Sequence, residues 1–336
     1  ISMDTKRYCT QSVKIPFPNK LFLNTELTIP IPKSGDMINK IRLVLDFPIT
    51  NTIGEEILNE ADFIVNNKSL EKIYGEFMKC ENSFKTSLEK STKLQNLLCK
   101  NSPGKLYLTL SFQTVEKGFF LLQKDTIDVR ILLSKGSITS ELTGYLLVDY
   151  VMVESIPKSP FFQRNRQIQK LSCFVSSSNV VIMDTYFTGP VYELYFTVRD
   201  VSTNSYVDAI DKVQLLFNDR ERFNLEGTYL KLIEPMKKYG RYSKDDPIYM
   251  YSFSIYDNKD TPSGQTIMAE NQRFIINLFN NNSNYIVTVW AQSHNFYYSS
   301  KPVFESNEML LSKIENKCTS STIPMKVYYT NYANTL

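Results

Sequence analysis

The only histidine, His294, stands among Trp290, Phe296, Tyr297 and Tyr298. Acid–base chemistry at neutral pH usually recruits histidine or a paired carboxylate. With no second histidine to work with, a packed core imidazole is the expectation. Asp219, Arg220, Glu221 and Arg222 alternate in sign inside a turn signal, the pattern of a local ion-pair network rather than of an acid and its base. Asp245-Asp246 and Asp257 with Asp260 carry the oxygens that a hard cation needs. No D-x-D-x-D-G loop surrounds them, so they read as solvated loops. Ser34-Gly35-Asp36 lacks the spacing of a phosphate cradle, and no G-x-S-x-G elbow occurs. The five cysteines (Cys9, Cys80, Cys99, Cys173, Cys318) are odd in number, scattered and without a C-x-x-C pair. They argue against a zinc site or a disulfide scaffold and for reduced thiols in a cytosol-like compartment. No catalytic, cofactor-binding or metal-binding residue is assigned, and the chain does not read as an enzyme.

The elements that would position any of these groups are mostly short strands. Aromatic residues reach 13%, with 21 Tyr and 21 Phe, and Thr, Val and Ile lie in short runs between Pro, Gly, Asn and Asp. Val13, Ile15 and Phe17 alternate with polar or proline neighbours, as do Leu21 with Leu23, then Leu27, Ile29 and Ile31. Ile41, Leu43, Leu45 and Phe47 follow on one face after the turn Lys33-Ser34-Gly35-Asp36. Between about 55 and 100 the period changes. Leu70, Ile73, Tyr74, Phe77 and Met78 form a helical stripe whose far side carries Glu71, Lys72, Glu76 and Lys79, and Phe84, Leu88, Leu94, Leu97 and Leu98 form a second. Strands resume over 106–112, 119–122, 126–133 and 142–153, and in the second half over 191–198, 207–217, 249–255, 274–279, 285–291 and 325–329.

Ile156 to Gln169, with Pro157, Pro160 and a cluster of Arg, Gln and Lys, reads as the linker between two domains. A length of 336 residues suits that division, and one-sided antiparallel sheets must bury their apolar faces on second sheets, giving paired β-sandwiches. Lys plus Arg number 38 against 35 Asp plus Glu, without a long block of one sign, so no direct nucleic-acid partner is expected. No apolar run reaches bilayer length, and the first residues lack the layout of a secretory signal. Ile1-Ser2 without an initiator Met reads as a trimmed N-terminus. Sequons stand at Asn67 and Asn281.

Several segments, in order, resemble the major capsid proteins of nucleocytoplasmic large DNA viruses, the double jelly-roll capsid family. Ser34-Gly35-Asp36-Met37-Ile38, leading into IRLVLDFP, is similar to the family's "R-x-G-D-L-I" turn. Lys72-Ile73-Tyr74-Gly75-Glu76-Phe77 resembles a segment ending Tyr-Gly-Glu-Trp, with Phe77 in place of Trp. Leu106 to Phe112 resembles "Y-I-P-L-P-F" without its prolines, and Val148-Asp149-Tyr150 resembles the "V-D-Y" strand. In the second half, Pro190 to Leu194 resembles "P-V-K-E-L", and Phe217-Asn218-Asp219-Arg220-Glu221-Arg222-Phe223 resembles "L-N-G-x-D-R-F". Glu226 to Leu230 with Glu234-Pro235 resembles "G-x-Y-F…Q-P". Ile248 to Ser254, containing Tyr251-Ser252-Phe253, is close to "I-Y-x-Y-S-F-A", and Thr261-Pro262-Ser263-Gly264 to "Q-P-S-G". Two departures stand out: Gln265 to Met268 replaces "N-F-S-R", and the chain is divergent and shorter than is typical of the family, which suggests trimmed surface loops or a missing N-terminal arm.

The resemblance implies an all-β fold of two consecutive eight-stranded antiparallel jelly rolls. The first would occupy 1–156, with a helical insertion at about 55–100, and the second 157–336. It also implies a structural role in the virion after synthesis in the host cytoplasm. Homotrimers of pseudo-hexagonal outline would tile an icosahedral shell, beside neighbouring capsomers, minor capsid proteins and an inner viral membrane, with no cofactor or small-molecule substrate. Phe161-Phe162 and the Tyr239 to Tyr251 stretch are the candidate trimer contacts. A minor or paralogous capsid component and a β-sandwich carbohydrate-binding attachment protein remain the alternatives.

Overall fold

The computed structural model describes residues 8–19, 22, 24–47, 54–85, 104–116, 118–121, 125–134, 142–153, 162–244, 246–254, 264–268, 271–279 and 283–298. Alternation along the sequence becomes one-sided burial in strands with one wet face, whereas β12 (Gly189–Asp200) is buried on both. In Ile127–Leu133 every second side chain, from Ile127 to Leu133, is buried and the others are half-exposed. The first set of strands is β1 (Tyr8–Pro16), β2 (Glu26–Pro30), β3 (Met37–Phe47), β4 (Leu58–Val65), β5 (Lys68–Tyr74), β6 (Gly104–Leu110), the two-residue β7 (Phe119–Phe120), β8 (Ile127–Leu133) and β9 (Thr143–Val153). Helices α1 (Gly54–Ile57), α2 (Gly75–Lys85) and α3 (Gln113–Glu116) lie between them. One sheet runs β1-β9-β3-β6 with β7 added to β3, and the other runs β2-β8-β4-β5. Their inner faces meet in one apolar core, Ile41, Leu43 and Val148 against Ile29, Phe63 and Val129.

The second set repeats the plan with β10 (Phe162–Ser176), β11 (Val180–Thr185), β12 (Gly189–Asp200), β13 (Ile210–Phe217), β14 (Arg220–Glu226), β15 (Ile248–Ser252), β16 (Thr266–Met268), β17 (Gln272–Leu278) and β18 (Asn284–Tyr298). A π-helical turn, Tyr229–Ile233, runs into α4 (Glu234–Tyr239) between β14 and β15. The sheets are β10-β18-β12-β15, with β16 on β12, and β11-β17-β13-β14. With the short β7 and β16 set aside, the eight strands of either set pair in the order 1-8-3-6 and 2-7-4-5, all antiparallel. Each is a jelly roll. The correspondence extends to details. The extra short strand pairs with the third strand in both rolls, a helix follows the fifth strand in both, and register breaks fall at matching points. These are Ile38/Lys40 with Val191/Glu193, Leu58/Glu60 with Ile210/Lys212, and Phe63/Ile64 with Leu215/Leu216.

The hairpins joining the fourth and fifth strands show why. Both turn on two residues of positive φ, Asn66 (51°) and Asn67 (62°) in the first roll and Asn218 (48°) and Asp219 (61°) in the second. That is the two-residue turn whose twist matches its strands, for which Asn-Gly is the preferred pair. Replacing Asn67 or Asp219 by glycine removes the Cβ strain of the left-handed region, so each should raise stability by up to about 1 kcal/mol, read as a shift of the urea midpoint at constant slope.

Two expectations require correction. The region from 55 to 100 is not helical throughout, since 58–74 is the β4–β5 hairpin and Leu70, Ile73 and Tyr74 lie on β5; only Phe77, Met78 and Phe84 lie on α2, which starts at Gly75. The i, i+3, i+4 spacing had crossed a strand–helix boundary. Leu88 to Leu98 lie outside the described residues, as does 325–329. Nor is 156–169 a linker to its end, because Phe162 onward forms β10, whose polar residues are accommodated as described below. The described parts of Ile1–Ile156 and Gln163–Tyr297 form one compact unit.

Candidate functional site

The helix after β5 holds the two rolls together. Gly75 opens it because nothing larger fits: a Cβ there would lie 2.0 Å from the Glu55 carbonyl oxygen and 2.2 Å from that of Leu58. The equivalent Gly227, after β14, would meet the Ile210 carbonyl at 1.9 Å. So anchored, α2 lays Phe77 and Phe84 on the outer face of the β10-β18-β12-β15 sheet. Phe77 lies 5.3 Å from Tyr195 edge-on and 5.6 Å from Trp290 between ring centroids, and Tyr74 adds a contact to Trp290 at 5.4 Å. Phe84 is 6.1 Å from Tyr195 and stacks on Tyr239 at 6.2 Å. Ile168, Tyr195, Ile248, Met250 and Trp290 therefore share the apolar core of the first roll.

Beside this wedge runs a buried ionic chain. Arg166 on β10 is 3% exposed. Its Nε reaches Glu71 Oε1 at 3.1 Å, its Nη1 reaches both oxygens of Glu81 at 2.8 Å, and its Nη2 donates to the Ser111 carbonyl. Glu71 also accepts the backbone N–H groups of Gln113 (2.9 Å) and Thr114 (2.8 Å), and the Thr114 hydroxyl donates to Asn165 Oδ1. Lys85 pairs with Glu81 at 2.8 Å and lies 3.9 Å from Glu193, which accepts the hydroxyls of Tyr195 (2.9 Å) and Tyr239 (2.5 Å). At the rim, Lys170 pairs with Glu76 at 2.9 Å and sits 4.7 Å above Trp290, and Lys79 pairs with Asp246 at 3.2 Å. The far face of the expected stripe, Glu71, Glu76 and Lys79, is thus spent on ion pairs rather than solvated.

Burial alone would lift the Glu81 carboxyl, but Arg166 and Lys85 outweigh it and hold it at about 2, below its ordinary 4.5. Glu71 is raised, because its burial exceeds what Arg166 and the Thr114 and Gln113 donors return. Burial likewise pushes the Tyr195 and Tyr239 hydroxyls up, helped by Glu193 beside Tyr195 and by Tyr195 and Glu193 beside Tyr239. A depressed carboxyl stabilises the fold above its unfolded value and loses that contribution as pH falls through the folded one. Glu81 therefore contributes fully above pH 4.5 and progressively less towards about 2, whereas the raised Glu71 favours its protonated form and works against the trend. Glu81→Gln should flatten the fall of the urea midpoint across that window while lowering it at pH 7.

The residues singled out by family resemblance fall into separate clusters. Gly35 and Asp36 meet Asp149 and Tyr150. A Cβ on Gly35 would lie 2.8 Å from the Tyr150 Cβ, the Asp36 N–H donates to the Val151 carbonyl at 3.1 Å, and the Tyr150 hydroxyl donates to the Pro32 carbonyl at 2.5 Å. Burial raises that hydroxyl to about 12. Asp149 pairs with Arg42 at 2.9 Å and accepts from Ser12. Tyr74, Gly75 and Glu76 are at the roll junction. Asn218 and Asp219 form the β13–β14 turn, Arg222 lies over Phe217 at 4.9 Å, and Phe223 stacks on Tyr251 at 4.3 Å, with Phe253 edge-on to Tyr251 at 5.0 Å. The Ser252 N–H donates to Glu234. Gly264 is held to glycine by the Phe253 carbonyl, 2.2 Å from a Cβ. Pro262 and Ser263 lie outside the described residues, as do Asp245, Asp257 and Asp260. His294 is buried and stacked 4.3 Å from Tyr192, a packed core imidazole. Cys9, Cys80 and Cys173 are free thiols. Among the described residues no group of three or more His, Cys, Asp or Glu is placed to hold a metal, and no helix is long and apolar enough to cross a membrane.

Sequence reasoning missed Arg166, Glu81, Glu193 and Trp290 as the centre of the junction. The only available signal was an arginine in an alternating strand opposite no obvious partner, since the carboxylates come from positions 95 and 85 residues away.

Two rolls of one topology sharing an interior define the class: a double jelly-roll protein. The structure is similar to VP54 of PBCV-1 (TM-score 0.76, 14% identity, covering 90% of this chain and 97% of that one) and to the Faustovirus major capsid protein (TM-score 0.69, 10% identity, 88% and 91%). It is also similar to the major capsid protein of STIV (TM-score 0.55, 12% identity, 89% and 98%). No curated protein matches the sequence. The sequence model of the large eukaryotic DNA virus major capsid proteins matches residues 161–309, the same family that the short segments resemble.

Proposed function

We propose that three copies of this chain assemble into a capsomer of pseudo-hexagonal outline and that such capsomers tile an icosahedral shell, a structural rather than catalytic role in the virion. The observation that carries the reading is the equivalence of the two rolls, β1 to β9 and β10 to β18. Three chains then offer six similar blocks, and the buried Arg166 chain with the Phe77 wedge makes each pair one rigid tile. The family match supports the same role, as does the presence of the PBCV-1 capsid among the similar structures. Synthesis in the host cytoplasm and contacts with minor capsid proteins and an inner viral membrane belong to the proposal. Of the Tyr239 to Tyr251 stretch, Tyr242 is 40% exposed and stays a candidate trimer contact, whereas Tyr239 and Tyr249 are turned inward onto Glu193 and Asp208. Static light scattering of the full chain at micromolar concentration should give three chain masses, and a single chain mass would overturn the reading.

A carbohydrate-binding role has one observation in its favour, a cleft of about 620 Å³ lined by Phe217, Arg220, Glu221, Arg222 and Gln272. Binding on a glycan array, abolished by Arg220→Ala with Arg222→Ala, would establish it.

A further inference from the structure

The two rolls close differently at the end where the fourth strand turns into the fifth. In the first roll the last row across the 2-7-4-5 sheet is Ile31, Ile127 and Val65, all buried, with Lys68 at the edge. Ile31 extends β2 by donating its N–H to the Ile127 carbonyl at 2.8 Å. The same row of the second roll is Thr185, Gln272, Phe217 and Arg220. Just inside this row both rolls carry the bulge noted above, a device that re-aims a side chain, and it leaves one residue of the fifth strand without a cross-strand partner. In the first roll that residue is Leu70, packed against the apolar core; in the second it is Arg222. Where the first roll has an aliphatic plug, the second has the cleft of about 620 Å³ lined by Phe217, Asn218, Arg220, Glu221, Arg222, Ile267 and Gln272.

The alternating charges of Asp219 to Arg222 do not neutralise one another here. The Arg222 guanidinium lies over the Phe217 ring at 4.9 Å, and among the described residues neither Arg220 nor Arg222 forms an ion pair. Glu221 is held from the side by Gln214 (2.7 Å) and Asn224 (2.9 Å), both donating to Oε2, which leaves Oε1 for a further donor. Ile267, 43% exposed, adds an apolar wall. We infer that this cleft takes a sugar or polyol bearing an anionic group. Arg220 and Arg222 receive the carboxylate or phosphate through their forked N–H donors, and Glu221 Oε1 accepts a hydroxyl. The carboxylate of Glu221 opposes a bare multiply charged anion, and a neutral sugar leaves both guanidinium groups without a counter-charge. The inference rests on the carbohydrate-binding reading of the same cleft and adds the class of ligand that the cleft selects.

Isothermal titration calorimetry of the full-length chain with glucuronate, glucose 6-phosphate, glucose and inorganic phosphate tests it. The tighter-bound of the two charged sugars names the anionic group as carboxylate or phosphate. It should bind at least about tenfold more tightly than glucose and than inorganic phosphate, the worth of one charge-assisted hydrogen bond. Arg222→Leu, which installs the first roll's residue, and Arg220→Ala should each weaken that binding by at least about tenfold. Both positions are exposed, so the thermal melt should not move, and Arg220→Ala alone decides if Arg222→Leu lowers it. Glucose bound as tightly as the charged sugars would overturn the inference while leaving the carbohydrate reading standing. Inorganic phosphate bound as tightly, or affinity unchanged in the arginine variants, would overturn it as well. No binding of any probe overturns it too, and a glycan array without a single bound glycan removes the carbohydrate reading with it.

Discussion

Arg166→Met is expected to lower the stability of the chain by about 3–5 kcal/mol, the typical cost of removing one partner from a buried ion pair. Its guanidinium is the only described cation within reach of Glu71, whose side chain has no exposed surface, and it shares Glu81 with Lys85. Without it Glu71 retains two backbone N–H donors, but its charge stays in the interior. The cost therefore comes from stranding a carboxylate, and that origin is testable. The triple variant Arg166→Met, Glu71→Leu, Glu81→Leu removes the charges together and should recover most of the loss, since apolar replacement of a whole buried cluster is often close to neutral. Urea unfolding of the three-step series decides the matter: a triple variant as unstable as Arg166→Met would mean that packing rather than charge sets the effect.

Phe77→Ala should cost a similar amount, about 3–5 kcal/mol, the usual penalty for emptying a buried aromatic site. Phe77 has no exposed surface and touches both Tyr195 and Trp290, so its removal opens a void between the rolls rather than within one. Trp290 is the only tryptophan in the chain, which makes the site its own reporter. In the native state of Phe77→Ala the tryptophan emission should move to longer wavelength as water reaches the junction. Phe63→Ala, which empties the first roll's interior against Phe112 and Phe119, should destabilise comparably without moving it. Equal spectral shifts in the two variants would show that the rolls loosen together and that α2 is no distinct wedge.

The strands that sequence reading located best are those with one wet and one dry face. Leu142 to Val153 and Thr126 to Leu133 are legible because period-two alternation is a local consequence of half-burial. β10 and β11 were passed over for the same reason in reverse. β10 carries Arg166, Gln167, Gln169 and Lys170, polar residues that all look solvated although Arg166 is buried against the first roll, and β11 leaves Val180 and Ile182 exposed at a sheet edge. The α2 boundary was blurred because Leu70 and Ile73 on β5 and Phe77 on the helix happen to keep helical spacing while lying on different elements. The segment Tyr74-Gly75-Glu76 was picked out by resemblance alone. Its reason, a glycine pressed against the Glu55 and Leu58 carbonyls, belongs to the packed molecule.

By itself the amino-acid order determined an all-β chain of alternating strands, the turns at Gly35-Asp36 and Asn218-Asp219, a core imidazole at His294, and the resemblance to a capsid family, because each rests on neighbours a few residues apart. What only the tertiary structure decided is how the halves correspond and join. The two rolls have no visible sequence repeat yet share strand order, register breaks and the helix after the fifth strand, since topology is kept by backbone pairing that many side chains satisfy. The junction was hidden for the complementary reason. Arg166, Glu71, Glu81 and Glu193 are ordinary surface residues in type, and only the approach of chain segments far apart in sequence takes them out of water and turns their charges into a lock.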